Sequence, residues 1–286
     1  MIPNAFDYRR AGSLDEALGL VGTPGTKVIA GGMSLLPLMK LRLASPERLV
    51  DIGRLAELKG VRRLDDGRME IGALTTYAEL LDSPVRHYGV LRDALPDIGD
   101  VQVRNRGTVG GAIAHADPAS DLPAALLVLD AEIVARSRSG ERTIPADGFF
   151  TGSFQTGLRD DEIVTAVRIL GPRDDAGSAY VSLAQRASGY SIVGVAAVVI
   201  KEGGSAITRA MVALTGVGEV AYRAKGVEAA LIGNEGTAES IAGAAAHATD
   251  GVTVNSDIHA DREYRTAMAA VYTRRAIAAA LGRLSE

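Results

Sequence analysis

Two glycine pairs constrain this chain more than any other sequence feature. The first lies in residues 30–34 and the second in residues 107–111, each where an apolar run ends and a helix-like segment begins. Glycine lets backbone N–H groups approach a ligand, and a helix start adds unpaired donors with a partial positive charge. Neither pair has the ending of a P-loop or the spacing of a Rossmann fingerprint. The pattern therefore predicts a diphosphate-bearing dinucleotide that is held outside both motifs.

Length and charge narrow the class of protein. A chain of 286 residues with 47% hydrophobic content can bury a sizeable core and is long enough for two domains. The net charge of -4 argues against a nucleic-acid partner, which would require a basic face. The N-terminal residues have no apolar stretch typical of a secretion signal, and the longest apolar run, residues 192–200, is too short to cross a bilayer. We therefore expect a cytoplasmic protein without a transmembrane segment.

The sequence contains no cysteine. Because iron–sulfur clusters are held chiefly by thiolates, the chain cannot bind an ordinary one, and disulfides, cysteinyl-flavin links and thiol catalysis are also excluded. The four histidines stand far apart without the spacing of metal ligands, so no metal site is expected. If the protein is a redox protein, its electrons must come from elsewhere.

The first part of the chain alternates strands and helices. Ser13 with Glu16, and Thr76 with Glu79, have the spacing of a capping box and predict helix starts. Strands are expected at residues 27–30, 49–52, 69–73, 132–135 and 162–169, and helices at 13–21, 34–41, 76–83 and 122–129.

The pattern changes after a polar segment with glycine at both ends and one proline, residues 171–177, which is typical of a linker. Strands are expected at residues 180–183, 192–201 and 207–215, followed by an alanine-rich helical remainder that includes residues 261–283. Strands followed by helices predict an α+β domain. The expected domains are residues 1–172 and 173–286.

Several ordered segments resemble the FAD-binding medium subunit of the molybdenum hydroxylase family. They comprise residues 30–44, 49–52, 71–76 and 104–111, and the similarity continues to residues 263–268 and 274–275. The resemblance implies an FAD-binding PCMH-type fold with two α/β subdomains, followed by a C-terminal α+β domain of the carbon monoxide dehydrogenase flavoprotein type.

The same resemblance implies the cofactors and partners. FAD would be bound in this chain, while molybdopterin and [2Fe–2S] clusters would lie on a large and a small partner subunit, in a dimer of heterotrimers. The chain would then relay electrons from the clusters through FAD to an external acceptor. Two alternatives stay open: a stand-alone FAD-dependent oxidase of a small molecule, and a structural subunit with an empty nucleotide fold.

The resemblance also implies which residues contact FAD, while no residue is assigned a catalytic role. Residues 31–34 would offer backbone donors to the diphosphate, with the Ser34 hydroxyl joining them or capping the next helix. The implied contacts are Ile29, Ala30, Gly31, Gly32, Met33, Ser34, Leu35, Thr108, Val109, Gly110, Gly111, Ala112, Ala114, Asp117, Asp121 and Tyr190.

The roles of three acidic or aromatic residues at this site need separate argument. Asp117 and Asp121 would repel a phosphate, so at FAD they should accept hydrogen bonds from ribityl or ribose hydroxyls. Asp121 fits equally well as the cap of a helix that begins at Leu122. Tyr190 stands where relatives commonly carry an aspartate, and it either faces the isoalloxazine or fills a domain interface. His115 lies near enough to face the cofactor, and the resemblance is to members that bind FAD non-covalently.

Overall fold

The computed structural model describes residues 2–284, and its first part is a small parallel sheet. Its three strands pair in parallel, and the last of them along the chain lies between the first two. Parallel strands need a crossover, and one helix follows each of the first two strands. These elements are β1 (Asp7–Arg10), α1 (Leu14–Leu20), β2 (Thr26–Ile29), α2 (Leu35–Lys40) and β3 (Arg48–Asp51).

The second part is an antiparallel sheet of five strands with five helices and a short hairpin. Its strands are β4 (Val61–Arg63), β5 (Met69–Gly72), β6 (Glu132–Ser137), β7 (Gly140–Pro145) and β10 (Ile163–Ile169), and the hairpin is β8 (Phe150–Gly152) with β9 (Gln155–Thr156). The order is β4-β5-β10-β6-β7. Its helices are α3 (Tyr77–Leu81), α4 (Gly89–Asp97), α5 (Val101–Arg104), α6 (Val109–His115) and α7 (Asp121–Val128).

The third part is an antiparallel sheet covered by helices. Its elements are β11 (Ala176–Ala184), β12 (Ser191–Ile200), β13 (Arg209–Thr215), β14 (Tyr222–Arg223), α8 (Lys225–Leu231), α9 (Ala238–Ala245) and α10 (Arg262–Gly282). The strands pair in chain order. The long helix α10 packs on β11 and β12. This arrangement agrees with the α+β domain that the order of strands followed by helices predicted.

β12 is buried on both faces, which explains its uninterrupted apolar sequence. Val195 and Val199 belong to the core formed with α10, whereas Ala196 and Val198 belong to the core that contains α7 and the second sheet. Successive side chains of a strand point to opposite faces, so one strand serves both cores. The C-terminal sheet therefore completes the hydrophobic core of the part before it.

One of the two predicted capping boxes forms only in part. Ser13 accepts the N–H of Glu16 at 3.2 Å, but the Glu16 carboxylate accepts the N–H of Gly12, so only half of that capping box forms. The box at Thr76 and Glu79 is complete.

The polar segment is shorter than predicted, and the second sheet contains consecutive strands with no helix between them. β11 begins at Ala176, so the last two residues of the predicted linker pair with β12. In the second sheet every pairing is antiparallel, with direct connections from β4 to β5 and from β6 to β7. Strand direction depends on partners far along the chain, which local patterns do not reveal.

Candidate functional site

The structure brings the two glycine segments into contact. Gly31 follows β2, and a Cβ added to it would overlap the carbonyl oxygen of Arg106, just ahead of the second segment. Gly32 has φ +75, a conformation that side chains other than glycine rarely adopt. Glycine is therefore needed at both positions, once for close approach and once for backbone conformation.

The first segment presents a run of free backbone donors. Within residues 2–284, no hydrogen bond uses the N–H groups of Gly31, Gly32, Met33, Ser34 or Leu35. The Ser34 hydroxyl makes no capping bond to α2, so that alternative role is wrong. Consecutive N–H groups without a protein acceptor fit an anion such as a diphosphate.

The second segment differs from the first, because N–H groups of this segment donate to carbonyl groups of the chain itself. Val109 donates to the carbonyl of Thr75 at 3.1 Å, and Gly110 donates to that of Ala73 at 2.8 Å. A Cβ on Gly110 would lie 2.5 Å from the Cβ of Ala73. Gly110 thus allows α6 to pack on the residues that follow β5. The expectation that the N–H groups of Val109 and Gly110 face the ligand is wrong.

Gly111 is exposed, yet its N–H is also bound within the chain. It donates to the Thr108 hydroxyl at 3.2 Å, which makes Thr108 the cap of α6. The expected free donor at Gly111 is therefore wrong as well. Ala112 is half-buried and Ala114 exposed along the same helix.

Asp121 is buried and holds two hydroxyl groups. Ser191 donates to its Oδ1 at 2.6 Å, and the Tyr180 hydroxyl donates to the same atom. A Cβ on Gly194 would overlap the Tyr180 hydroxyl, so this glycine makes room for the network. Asp121 is the first residue of α7, and the cap is Ser120, so the helix-cap alternative for Asp121 is wrong.

Burial sets the charge state of this carboxyl. It raises the pKa of Asp121 from 3.8 to about 6, although the hydrogen bonds from Ser191 and Tyr180 act in the opposite direction. Asp97 also raises the pKa by charge repulsion.

Asp117 and His115 lie at the end of α6. Asp117 accepts the N–H of Ala119 at 2.9 Å, and its other oxygen lies 4.0 Å from Nε2 of His115. Burial lowers the pKa of His115, with Asp117 opposing that shift. The His115 ring packs at 5.1 Å between centroids from Phe154. Its neutral form is therefore favoured.

A cleft of about 460 Å³ lies between the second and third parts of the fold. Its walls combine the turn after α6, the tip of the β8–β9 hairpin and the segments around β12 and α10. The lining residues are Asp117, Pro118, Ala119, Phe154, Gln185, Ser188, Tyr190, Ser191, Ile192, Gly216, Asn255, Asp257, His259 and Arg265. A second cavity of about 480 Å³, around Arg9 and Arg48, contains none of the predicted contacts.

Tyr190 lines the cleft and is 49% exposed, so it does not simply fill an interface. Its N–H donates to the Ser188 hydroxyl at 3.3 Å. Partial burial raises the pKa of its phenol, and the carboxylates of Asp117 and Asp121 add to the shift.

Arg265 is a cleft residue that sequence reasoning missed as a site residue. It is 4% exposed and donates to the carbonyls of Ile192 and Gly216, both at 2.7 Å, and to the Asp257 carboxylate. It therefore ties the start of β12 and the end of β13 to α10. The only signal for Arg265 in the sequence was that it lies in residues 263–268, which resemble the family. Phe154 was also missed and has no motif around it.

Among residues 2–284, no group of three or more potential metal-ligating side chains is assembled. No helix in the same range is long and apolar enough to cross a membrane.

Comparison with known proteins identifies the family. Residues 4–170 match the FAD binding domain in molybdopterin dehydrogenase, and residues 178–280 match the CO dehydrogenase flavoprotein C-terminal domain. The chain belongs to the FAD-binding medium subunits of the molybdenum hydroxylase family. The resemblance, the fold class and the FAD cofactor expected from the sequence are thereby confirmed.

Individual relatives cover the whole chain. The sequence is 39% identical over 287 residues to the carbon monoxide dehydrogenase medium chain of Hydrogenophaga pseudoflava, covering 99% of both chains. It is 36% identical to the 6-hydroxypseudooxynicotine dehydrogenase complex subunit alpha of Paenarthrobacter nicotinovorans, covering 99% of this chain and 97% of that relative. A carbon monoxide dehydrogenase structure from Hydrogenophaga pseudoflava matches with a TM-score of 0.94 at 40% identity, covering 99% of both chains.

Proposed function

We propose that FAD lies across the two glycine segments, with its diphosphate at residues 31–35 and its isoalloxazine in the cleft near Tyr190. The observation that carries this placement is a run of five N–H groups, in residues 31–35, that have no acceptor in the described part of the chain; the run begins at the contact with Arg106. The seven residues of α6 span about 10 Å. That helix leads from the glycine contact to Asp117, so the ribityl chain would run beside it.

The proposed contacts follow from this path. Residues before α2 would hold the diphosphate, and residues of α6 would lie beside the ribityl chain. The proposal includes Ile29, Ala30, Gly31, Gly32, Met33, Ser34, Leu35, Thr108, Val109, Gly110, Gly111, Ala112, Ala114, Asp117, Asp121 and Tyr190. Thr108 and the three residues after it would contact FAD by van der Waals packing, without donating backbone hydrogen bonds to it.

We also propose that the subunit relays electrons from iron–sulfur clusters of a small partner to an external acceptor. FAD supplies the redox chemistry, because it accepts electrons singly and passes on a pair. The chain itself binds and orients the cofactor, and it has no cysteine for a cluster of its own. A large molybdopterin subunit would oxidise the substrate, and the complex would be a cytoplasmic dimer of heterotrimers.

The relatives favour this relay over a stand-alone oxidase. Two similar proteins are subunits of carbon monoxide dehydrogenase and of a 6-hydroxypseudooxynicotine dehydrogenase complex. Those substrates share little chemistry although the two subunits are similar to this chain. Substrate choice would therefore lie on the partner that carries molybdenum.

Ser34→Ala tests the diphosphate site. The Ser34 hydroxyl has no partner within residues 2–284, so its loss should leave the free energy of unfolding unchanged while weakening FAD binding about tenfold. Ser13→Ala is the matched control, because Ser13 caps α1 and is not among the proposed FAD contacts. It should lower stability by about 1 kcal/mol without changing the Kd for FAD.

Titration of the apoprotein with FAD, followed by urea denaturation, measures both quantities. If Ser34→Ala bound FAD as wild type does, the hydroxyl would be removed from the site. If the purified wild-type chain released no FAD on acid precipitation, the proposed function itself would fail.

The relay is tested with the isolated chain, free of iron and molybdenum. It should transfer electrons from dithionite to dyes but oxidise no physiological substrate at an ordinary enzymatic rate. Such oxidation would replace the relay by the stand-alone oxidase.

A further inference from the structure

The tip of the β8–β9 hairpin carries an aromatic ring that the fold does not bury. Phe154 is 57% exposed and lines the same cleft as Tyr190. Its ring packs against that of His115, at 5.1 Å between centroids and 45° between planes. Ligand clefts are commonly lined by aromatic side chains, and two of them, Phe154 and Tyr190, stand open in this one.

The backbone at this ring is strained. Phe154 has φ +58, and its N–H donates at 3.1 Å to the carbonyl of Ala116, which itself has φ +51. Residues other than glycine adopt these values at a cost, whereas glycine adopts them freely. The turn alone would therefore be better served by glycine than by phenylalanine.

The strain is maintained because the tip is held from the other side as well. The Ser153 hydroxyl donates to the carbonyl of Glu219 at 3.3 Å, and the Ser153 N–H donates to Oε1 of Glu219 at 3.4 Å. The hairpin thus bridges α6 and the segment after β13. Strained residues held by their surroundings in this way cluster at ligand contacts.

We propose that the Phe154 ring contacts the isoalloxazine ring of FAD and forms, with Tyr190, the aromatic lining of the cleft. This inference rests on the proposed function, which puts the flavin ring in the cleft. Aromatic rings pack on one another edge to face or offset, and each excludes water from its neighbour. Phe154 is therefore a contact residue that keeps the flavin ring oriented and partly shielded.

The test compares variants of the full chain loaded with FAD. Phe154→Ala and Phe154→Gly should each raise the Kd for FAD about tenfold and change the visible absorption band of the bound flavin. Phe154→Tyr, which keeps a ring, should restore both. Leu43→Ala is the matched control, because Leu43 is 74% exposed and lies outside the cleft. It should behave as wild type.

The possible outcomes separate failure of the Phe154 contact from failure of the proposed function. If Phe154→Ala does not fold, Phe154→Gly decides, since glycine adopts φ +58 without strain. Wild-type affinity and spectrum in Phe154→Gly would overturn the inference and leave the proposed function standing. Loss of assembly with an iron–sulfur subunit, with flavin properties unchanged, would also overturn it and make the ring a subunit contact. Failure of the wild-type chain to bind FAD would instead overturn the proposed function.

Discussion

Asp121→Asn should change how the stability of the protein depends on pH. Burial raises the folded-state pKa of Asp121 from 3.8 to about 6, so the ionised carboxylate destabilises the fold. The stabilising effect of the neutral acid is complete below pH 3.8 and is lost as the pH rises through about 6. At pH 7 the penalty of ionisation is roughly 3 kcal/mol, and at pH 5 roughly half of that. Asparagine keeps an acceptor for Ser191 and Tyr180 but never ionises.

The assay is urea denaturation of wild type and Asp121→Asn, without cofactor, at several pH values from 5 to 7. The stability of wild type relative to the variant should fall by roughly 1.5 kcal/mol across this range. Tyr180→Phe provides a second arm: it removes a hydrogen bond to the ionised carboxylate and should lower stability more at pH 7 than at pH 5. A difference between wild type and Asp121→Asn that stays constant over the range would refute the assigned burial effect.

Three further substitutions test close approaches in the fold. Gly31→Ala should abolish FAD occupancy and lower the free energy of unfolding by about 1–3 kcal/mol, because its Cβ overlaps the Arg106 carbonyl; flavin content per chain and urea denaturation measure this. Gly194→Ala should lower the free energy of unfolding by about 1–3 kcal/mol, because its Cβ overlaps the Tyr180 hydroxyl. The loss should be much smaller in a Tyr180→Phe background, which a double-mutant cycle measures. Gly111→Ala places a Cβ 2.8 Å from the Thr108 hydroxyl that caps α6, so it should weaken FAD binding in a titration and lower stability by about 1 kcal/mol; unchanged binding would remove Gly111 from the site.

Local features were predictable from the sequence because their causes are local. The cap at Thr76 and the apolar run of β12 depend on neighbouring residues, and both are confirmed. The α10 helix begins after Asp261, whose side chain accepts the N–H of Tyr264, within one residue of its predicted start. The family resemblance extended these predictions to fold class and cofactor.

The features that were missed depend on long-range contacts. The hydroxyl groups on Asp121 come from β11 and the start of β12, and no local pattern links these strands to α7. The N–H groups of Val109 and Gly110 are used by the exit of β5, a contact that arises only from packing. Phe154 stands at a turn with no sequence signal for its exposed ring. The free donors of residues 31–34, by contrast, follow from a glycine turn before a helix and were predicted. Among residues 2–284 the N–H of Leu35 has no acceptor either, which was not predicted.

The burial of β12 on both faces has a consequence for electron transfer. Ser191 begins this strand beside the cleft, and Arg265 fixes the carbonyl of Ile192 next to it. A wall anchored in two packed cores has little freedom to shift when the charge on a nearby group changes. The polar groups of such a wall are preorganised. For a flavin bound in the cleft as proposed, this wall should give a small reorganisation energy, which favours rapid passage of electrons in either direction.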